Sequence, residues 1–406
     1  MRHLGAPGRI VGLDTARGLA IFGMIATHLY PLLTGPNQGT GTPTWVGWGF
    51  TGVSSALFVV LAGVGLSLLT RNTTSIGRSR VQLSLRAVIL IFIGLLLGHA
   101  GSNVAIILVH YGVLFLLAMW FIAFSTRALT ITAISWLVVA PWLHGVFTRF
   151  MHVQAGGTTA YVENWRLWTS PTLFDVISQP LLTLWDVLFT GYYPVISFLG
   201  YVLVGMAIGR LNLSRLSSAV AMFVGGAVVY VLCRGLGAWF LSDDLYSYRV
   251  AHATGQHVEQ LPALAATGAQ IDTNLLMGSP EWFGLAIPHS GAPLDIYSTA
   301  GAAVGVIGFF LLLTRSRILQ AVVLPLTATG TIALTAYTAH VILTGLWPRD
   351  WSAMVVAGDP VWQAIWIMLL LHWLMVAVIG LVVYFLRVRG PLESLLRSAS
   401  RVGARS

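Results

Sequence analysis

The sequence predicts an all-α integral membrane protein, a polytopic bundle of about ten helices with both termini on the cytoplasmic side. Three observations predict it. The 406 residues are 56% hydrophobic and only 9% charged, where soluble domains run near 25% charged. The apolar residues gather into runs near the 20-residue length that crosses a bilayer. The arginines are strongly one-sided. The first observation excludes a soluble fold, and the whole chain, 1–406, reads as a single transmembrane domain.

Hydropathy places the spans at 10–31, 50–70, 83–100, 104–124, 128–147, 191–209, 217–240, 294–314, 318–346 and 361–386. The first is read as a retained span, because its long apolar run carries charge and lacks a small-x-small cleavage site. The ninth is over-long and contains Pro325, which predicts a kink or a late start. Two outer loops are long, about 148–190 and about 241–293, the length at which loops act as lids or binding elements. The second half of YVENWRLWTSPTLFDVISQPLLTLWDVLF is amphipathic and predicts a helix lying at the interface. The other loop reads as polar and small residues ending in PEWFGLAIPHSGAPLD.

All 22 basic residues are arginine. With a cytoplasmic N-terminus, the inner segments hold Arg2, Arg9, Arg71, Arg78, Arg80, Arg86, Arg127, Arg210, Arg215, Arg315, Arg317 and the five arginines of the tail. The outer loops hold Arg149, Arg166, Arg249 and Arg349. That is the positive-inside pattern. Acidic residues fall on the other side, among them Glu163, Asp175, Asp186, Asp243, Glu281, Asp295, Asp350 and Asp359. The net charge of +9 therefore reports topology, and no nucleic-acid partner is expected. Cys233 is the single cysteine, so no internal disulfide forms.

The first span, RIVGLDTARGLAIFGMIATHLYP, holds the strongest functional signal. Asp14, Arg17 and His28 lie in a run apolar enough to enter lipid, and ionisable residues there are costly and mark function. Asp14 and Arg17 are three apart, share a helix face and can pair. Arg17 and His28 are separated by about three turns, roughly 16 Å of rise. One helix thus holds a cation near one surface and an imidazole near the other, an arrangement suited to a long charged ligand whose chemistry lies at its far end.

Other histidines, His99, His110, His144, His289 and His340, also map to the outer half of a span or its rim, and His372 to mid-span. Imidazoles at one depth suit acid/base work. Each taken alone reads more simply as a buried polar residue bonded across helices. Arg71, Arg78, Arg80 and Arg86 have the chemistry to clamp phosphates, and equally that of topology anchors on anionic headgroups. Trp45, Trp48, Trp142, Trp165, Trp168, Trp282, Trp347 and Trp351 read as an interfacial aromatic belt. Gly52, Gly63 and Gly65 read as sites of close helix packing. No metal site is expected, since no paired histidines with a carboxylate, no cysteine cluster and no phosphate-binding glycine loop occur.

RIVGLDTARGLAIFGMIATH resembles the opening helix of the YeiB-like bacterial membrane proteins. GVSSALFVVLAGVGLSLL, VHYGVLFLLA, SFLGYVLVGMAIGRLNL, TGTIALTAYTAH and the closing VRGPLESLLR extend the resemblance in order over nearly the whole chain. That family is similar in turn to the transmembrane acyltransferases, which include the lysosomal heparan-glucosaminide acetyltransferase and the acyltransferase family 3 enzymes. The resemblance implies a multi-pass protein of the bacterial inner membrane in the cell envelope. It implies acyl-CoA, with acetyl-CoA favoured, as cytoplasmic donor and an extracytoplasmic glycan or glycolipid as acceptor. An arginine and a histidine with ten residues between them mark the first helix of acyltransferase family 3, and Arg17 and His28 reproduce that spacing. By that resemblance Arg17 is a CoA-side residue and His28 the catalytic base. The residues themselves add Asp14 to hold Arg17, Arg71, Arg80 and Arg86 as further cations for the phosphates, and His110, Tyr111 or His289 to steady the acyl oxygen. In the lysosomal enzyme the active histidine follows the first span; here no histidine lies between His28 and His99. A proton-coupled transporter or lipid exporter is the alternative that the buried charges also fit, and association into a homo-oligomer stays open.

Overall fold

The apolar runs fold as helices, and the all-α integral-membrane class holds. The structure is a computed structural model that describes residues 9–34, 41–71, 75–102, 104–157, 167, 170–268, 271–346 and 361–405. It is 79% helical and has no strands among the described residues.

In chain order the helices are α1 (Val11–Leu29), α2 (Trp45–Phe50), α3 (Val53–Thr70), α4 (Ile76–Leu97), α5 (Leu108–Ala118) and α6 (Thr126–Gln154). Then come α7 (Leu173–Ser178), α8 (Pro180–Trp185), a π turn over Asp186–Thr190, α9 (Val195–Arg210) and α10 (Leu216–Leu241). Next are α11 (Asp244–Thr254), α12 (Leu261–Thr267) and α13 (Pro280–Phe283). The last six are α14 (Pro293–Leu313), α15 (Arg317–Val322), α16 (Leu324–Thr331), α17 (Ala333–Leu346), α18 (Val361–Phe385) and α19 (Pro391–Arg405). Caps place several starts. Ser75 accepts from Arg78 N, Ser125 from Ala128 N and Asp243 from Tyr246 N, each satisfying a donor that the first turn leaves free.

Among the described residues six helices are long and apolar enough to cross a membrane, and two bent pairs raise that to eight. The count of ten is not confirmed. The expected span 104–124 supplies only the 11-residue α5. The expected span 10–31 is α1, whose Asp14 and Arg17 lower its hydropathy, although most of its residues are buried within the bundle.

Close helix crossings hold the bundle together. A Cβ on Gly63 would lie 2.1 Å from Val202 O, and one on Gly205 would lie 1.9 Å from Val60 O. Only glycine lets α3 and α9 approach that closely. Gly52 acts differently, since at φ +73 it makes the turn into α3. Gly65 meets nothing within 4 Å, so the packing role expected of it does not arise. The contact between α10 and α14 follows the same logic. Gly226 packs on Gly305, and Gly308 on Phe223 N. The rest of α10 is mostly exposed, including Val224, Val231, Leu232 and Trp239, the apolar surface a span presents to lipid.

The over-long ninth segment breaks into three helices, and α17 leaves α16 at 90°. The bend falls at Ile332, not at Pro325. Pro325 sits in the first turn of α16, where its missing N–H costs nothing. α19, a strongly amphipathic helix, packs against α4 and α17.

The loop at 241–293 is a folded cap rather than a polar lid. Val250, Leu261, Leu264, Ile271, Leu276, Trp282, Leu285 and Ile287 form a second core there. Trp282 is therefore no belt residue; it is fully buried, with its indole N–H on Ser290 O at 3.1 Å. Trp45, Trp48 and Trp142 are exposed as a belt requires, while Trp165, Trp168, Trp347 and Trp351 lie outside the described residues, as do Glu163, Asp350 and Asp359. Arg234, about two turns before the C-terminal end of α10, ties the cap down through Ala286 O at 2.5 Å and Ala266 O at 3.1 Å. In the other long loop, α7 and α8 expose Phe174, Ile177 and Leu181.

Candidate functional site

The N-terminal half of α1 carries the expected ion pair. Arg17 Nη1 donates to Asp14 Oδ1 at 2.8 Å, and Arg9 Nε lies 3.6 Å from Asp14 Oδ2. Asp14 is 7% exposed, and a buried carboxylate needs such partners. α16 crosses here at backbone distance. A Cβ on Gly18 would meet Leu326 O at 1.9 Å, and one on Gly330 would meet Asp14 O at 1.8 Å. Thr15 and Thr327 hydroxyls join at 2.8 Å across the same crossing. Arg17 remains partly exposed, with guanidinium donors beyond the one that Asp14 takes, so its chemistry fits a phosphate.

At the other end of α1, His28 meets a second imidazole. His28 Nδ1 lies 3.1 Å from His340 Nε2, and the two rings are parallel within 3°, with centroids 5.4 Å apart. The contact continues through α17 and α18. His340 Nδ1 is 3.4 Å from Thr344 Oγ1, which is 3.5 Å from His372 Nε2. His372 Nδ1 closes the chain on Met368 O at 2.8 Å. Trp373 fixes α18 beside α1: its indole N–H reaches Phe22 O at 3.0 Å and its ring stacks on Phe22 at 5.4 Å.

Of the remaining expected residues, His289 lies within electrostatic reach of His28, and Tyr111 within that of Arg17. His110 is buried with neither ring nitrogen bonded among the described residues, and its ring lies 5.6 Å from that of Tyr193. Tyr193 in turn lies 6.1 Å from His289. Tyr111 has its hydroxyl on Phe58 O at 2.9 Å. His289, in the loop before α14, adopts φ +65, and burial pushes its imidazole down to about 4. It lines a small open cleft with Ser55, Tyr201, Asp295 and Thr299. Asp295 is 3% exposed and accepts from Gly291 N at 3.1 Å and from Ser290 Oγ at 3.5 Å. Two of the arginines expected to assist at CoA have other partners. Arg86 Nε donates to Ser400 Oγ at 2.6 Å, and Arg80 covers the ring of Trp120 at 4.7 Å. Arg71 ends α3 at the exposed surface. Among the described residues no three His, Cys, Asp or Glu side chains gather as a metal-binding group.

Residues 9–242 match the family described as heparan-alpha-glucosaminide N-acetyltransferase, catalytic. That is more than half of the chain. The chain belongs to this family. No curated protein matches it. Membership of the heparan-alpha-glucosaminide N-acetyltransferase family makes the protein a membrane acetyltransferase in general kind. The matched region runs from α1 to the end of α10 and holds Asp14, Arg17, His28, His110 and Tyr111. His289, His340 and His372 lie beyond it. The fold thus brings His28 of the acetyltransferase match against His340, with His372 behind it, both from outside the match.

Sequence alone reads His340 and His372 most simply as buried polar residues and does not single out Thr344, because no local pattern links them to His28. Arg234 does carry a local signal: a cation in the apolar run VLCRGLGAW is an intramembrane charge that asks for a partner.

Proposed function

We propose that the protein transfers an acetyl group from acetyl-CoA, bound at the Arg17 end of α1, to an amine or hydroxyl of a glycan or glycolipid at the His28 end. The single observation that carries this reading is that one helix of the acetyltransferase family match holds a phosphate-competent cation and an imidazole about three turns apart. An extended pantetheine arm spans a distance of that order. On this reading the donor end faces the cytoplasm, as the arginine distribution suggests, and the membrane is the bacterial inner membrane.

The chemistry needs a base and a proton donor. His28 accepts the proton of the acceptor N–H or O–H as that atom attacks the thioester carbonyl. The C–S bond breaks, and His28 returns the proton to the departing CoA thiolate, so atoms and charge balance. Removing such a base costs on the order of 10²–10⁴ in rate.

The test is release of CoA thiol by protein reconstituted in lipid with acetyl-CoA and glucosamine. His28→Ala is expected to abolish it. Full turnover in that variant would overturn the reading.

A further inference from the structure

We propose that Thr344 and His340 set the tautomer of His28, so that its Nε2 carries the free lone pair that takes the acceptor proton. This deepens the acetyltransferase reading and rests on His28 as its base. His340 and Thr344 touch no substrate in it; they are positioning residues.

The proton positions follow from the partners. Met368 O can only accept, so His372 Nδ1, at 2.8 Å, carries a hydrogen. A neutral imidazole has one N–H, which leaves a lone pair on His372 Nε2. Thr344 has one hydroxyl hydrogen, and its shortest contact is to His340 O at 2.9 Å. His372 Nε2, which carries no hydrogen of its own, is a second acceptor for it at 3.5 Å. With the hydrogen given to the shorter carbonyl contact or to that bare nitrogen rather than to His340 Nδ1, Thr344 Oγ1 turns a lone pair toward His340 Nδ1 at 3.4 Å. Two lone pairs repel, so His340 Nδ1 is the protonated nitrogen and His340 Nε2 is an acceptor. It faces His28 Nδ1 at 3.1 Å. His28 Nδ1 therefore donates, and His28 Nε2 is left bare, with no hydrogen-bond partner among the described residues.

Burial makes the arrangement one-ended. His340 is 0% and His372 1% exposed, while His28 is only partly buried. Proton exchange with an acceptor therefore enters through His28. The rings behind it hold its orientation, as the hydrogen bond on one imidazole nitrogen selects the state of the other.

Imidazole ¹⁵N spectra of histidine-labelled protein in lipid nanodiscs test this directly, with His28, His340 and His372 assigned by single His→Gln variants. Above pH 7.5 all three are expected to carry the hydrogen on Nδ1. Thr344→Val keeps the shape and removes the hydroxyl. His340 then loses its Nδ1 acceptor, moves its hydrogen to Nε2 and donates to His28, which is driven to the Nε2–H form. The expected result is a swapped His28 signal together with a kcat loss of about 10²-fold. KM for acetyl-CoA stays unchanged. Thr344→Ser, which keeps the hydroxyl, restores both.

A wild-type His28 bearing hydrogen on Nε2 would overturn the proposal, as would a Thr344→Val protein with an unchanged His28 tautomer. The wild-type spectrum decides even where Thr344→Val does not fold. The spectra need no turnover, so this outcome is separate from that of His28→Ala in the transfer assay, which tests the acetyltransferase reading itself.

Discussion

Glu393 holds Thr335 by both of its polar groups: Oε1 accepts the Thr335 N–H at 3.2 Å and Oε2 its hydroxyl at 2.6 Å. Oε1 also accepts Leu334 N at 2.8 Å. The closing Gly-Pro-Leu-Glu run thus caps the first turn of α17, the helix that bends away from α16 at 90° and carries His340 further along. An anionic cap at a helix start satisfies free donors and complements the helix dipole.

Glu393→Ala is expected to lower stability by about 2 kcal/mol, the scale of losing hydrogen bonds to a charged acceptor. Glu393→Gln keeps an acceptor oxygen and should lose roughly half as much. Thermal midpoints in detergent read the order. Because α17 positions His340, acetyl transfer should fall in the same order.

Ligand-dependent thermal stability tests the donor end. A ligand that binds only the folded state at 100 times its Kd adds about 2.7 kcal/mol. Acetyl-CoA should stabilise the wild-type protein saturably and leave Arg17→Ala unshifted. Asp14→Ala removes the carboxylate that holds Arg17 at 2.8 Å, and should itself cost about 1.5–3 kcal/mol. An equal acetyl-CoA shift in Arg17→Ala would remove that residue from the donor site.

Two neighbouring glycines of α3 should behave oppositely. Gly63→Ala drives a methyl to within 2.1 Å of Val202 O, a backbone atom that cannot step aside, so α3 and α9 must separate. We expect a loss of about 3 kcal/mol or more, or failure to accumulate in the membrane. Gly65→Ala meets nothing within 4 Å and gains helix propensity, so its thermal midpoint should stay level or rise.

Acid should weaken the cap. Burial works against the charged form of Glu281, but its own backbone N–H, Arg249 at 3.1 Å and Ser279 outweigh it and hold its pKa below the ordinary carboxylate value. A depressed folded-state pKa stabilises fully above the unfolded value, about 4.3. That stability is lost as pH falls through the folded value. Arg249 is 57% exposed, so solvent limits the pair to less than about 1 kcal/mol. The difference in midpoint between wild type and Glu281→Gln, measured at pH 7 and at pH 3.5, should shrink at the lower pH.

The candidate site is partly legible in the sequence. The Asp14–Arg17 pair follows from a spacing of three on one helix, a purely local geometry. His28 stands out because an imidazole shares that charged span. Its partners are hidden. His340 lies 312 residues away, and nothing in TAYTAH distinguishes a histidine facing another imidazole from one facing a carbonyl. The cap over 241–293 reads as a polar loop because its apolar residues are spaced irregularly over short turns, with no run long enough to announce a core.

The sequence by itself determined the class of the protein, through composition, through the lengths of its apolar runs, and through the charges set in α1. It also held the caps, since Ser75, Ser125 and Asp243 act within three residues. The tertiary structure alone decided which helix faces meet. The physical reason is that spans such as α3 and α10 are apolar all round, so hydrophobicity does not distinguish the face buried in protein from the face turned to lipid. In α3 and α10 that choice was made by glycines that permit backbone contact. Around α1 glycines at the α16 crossing act together with buried polar groups that find partners on distant helices, and those contacts bring His28 to His340.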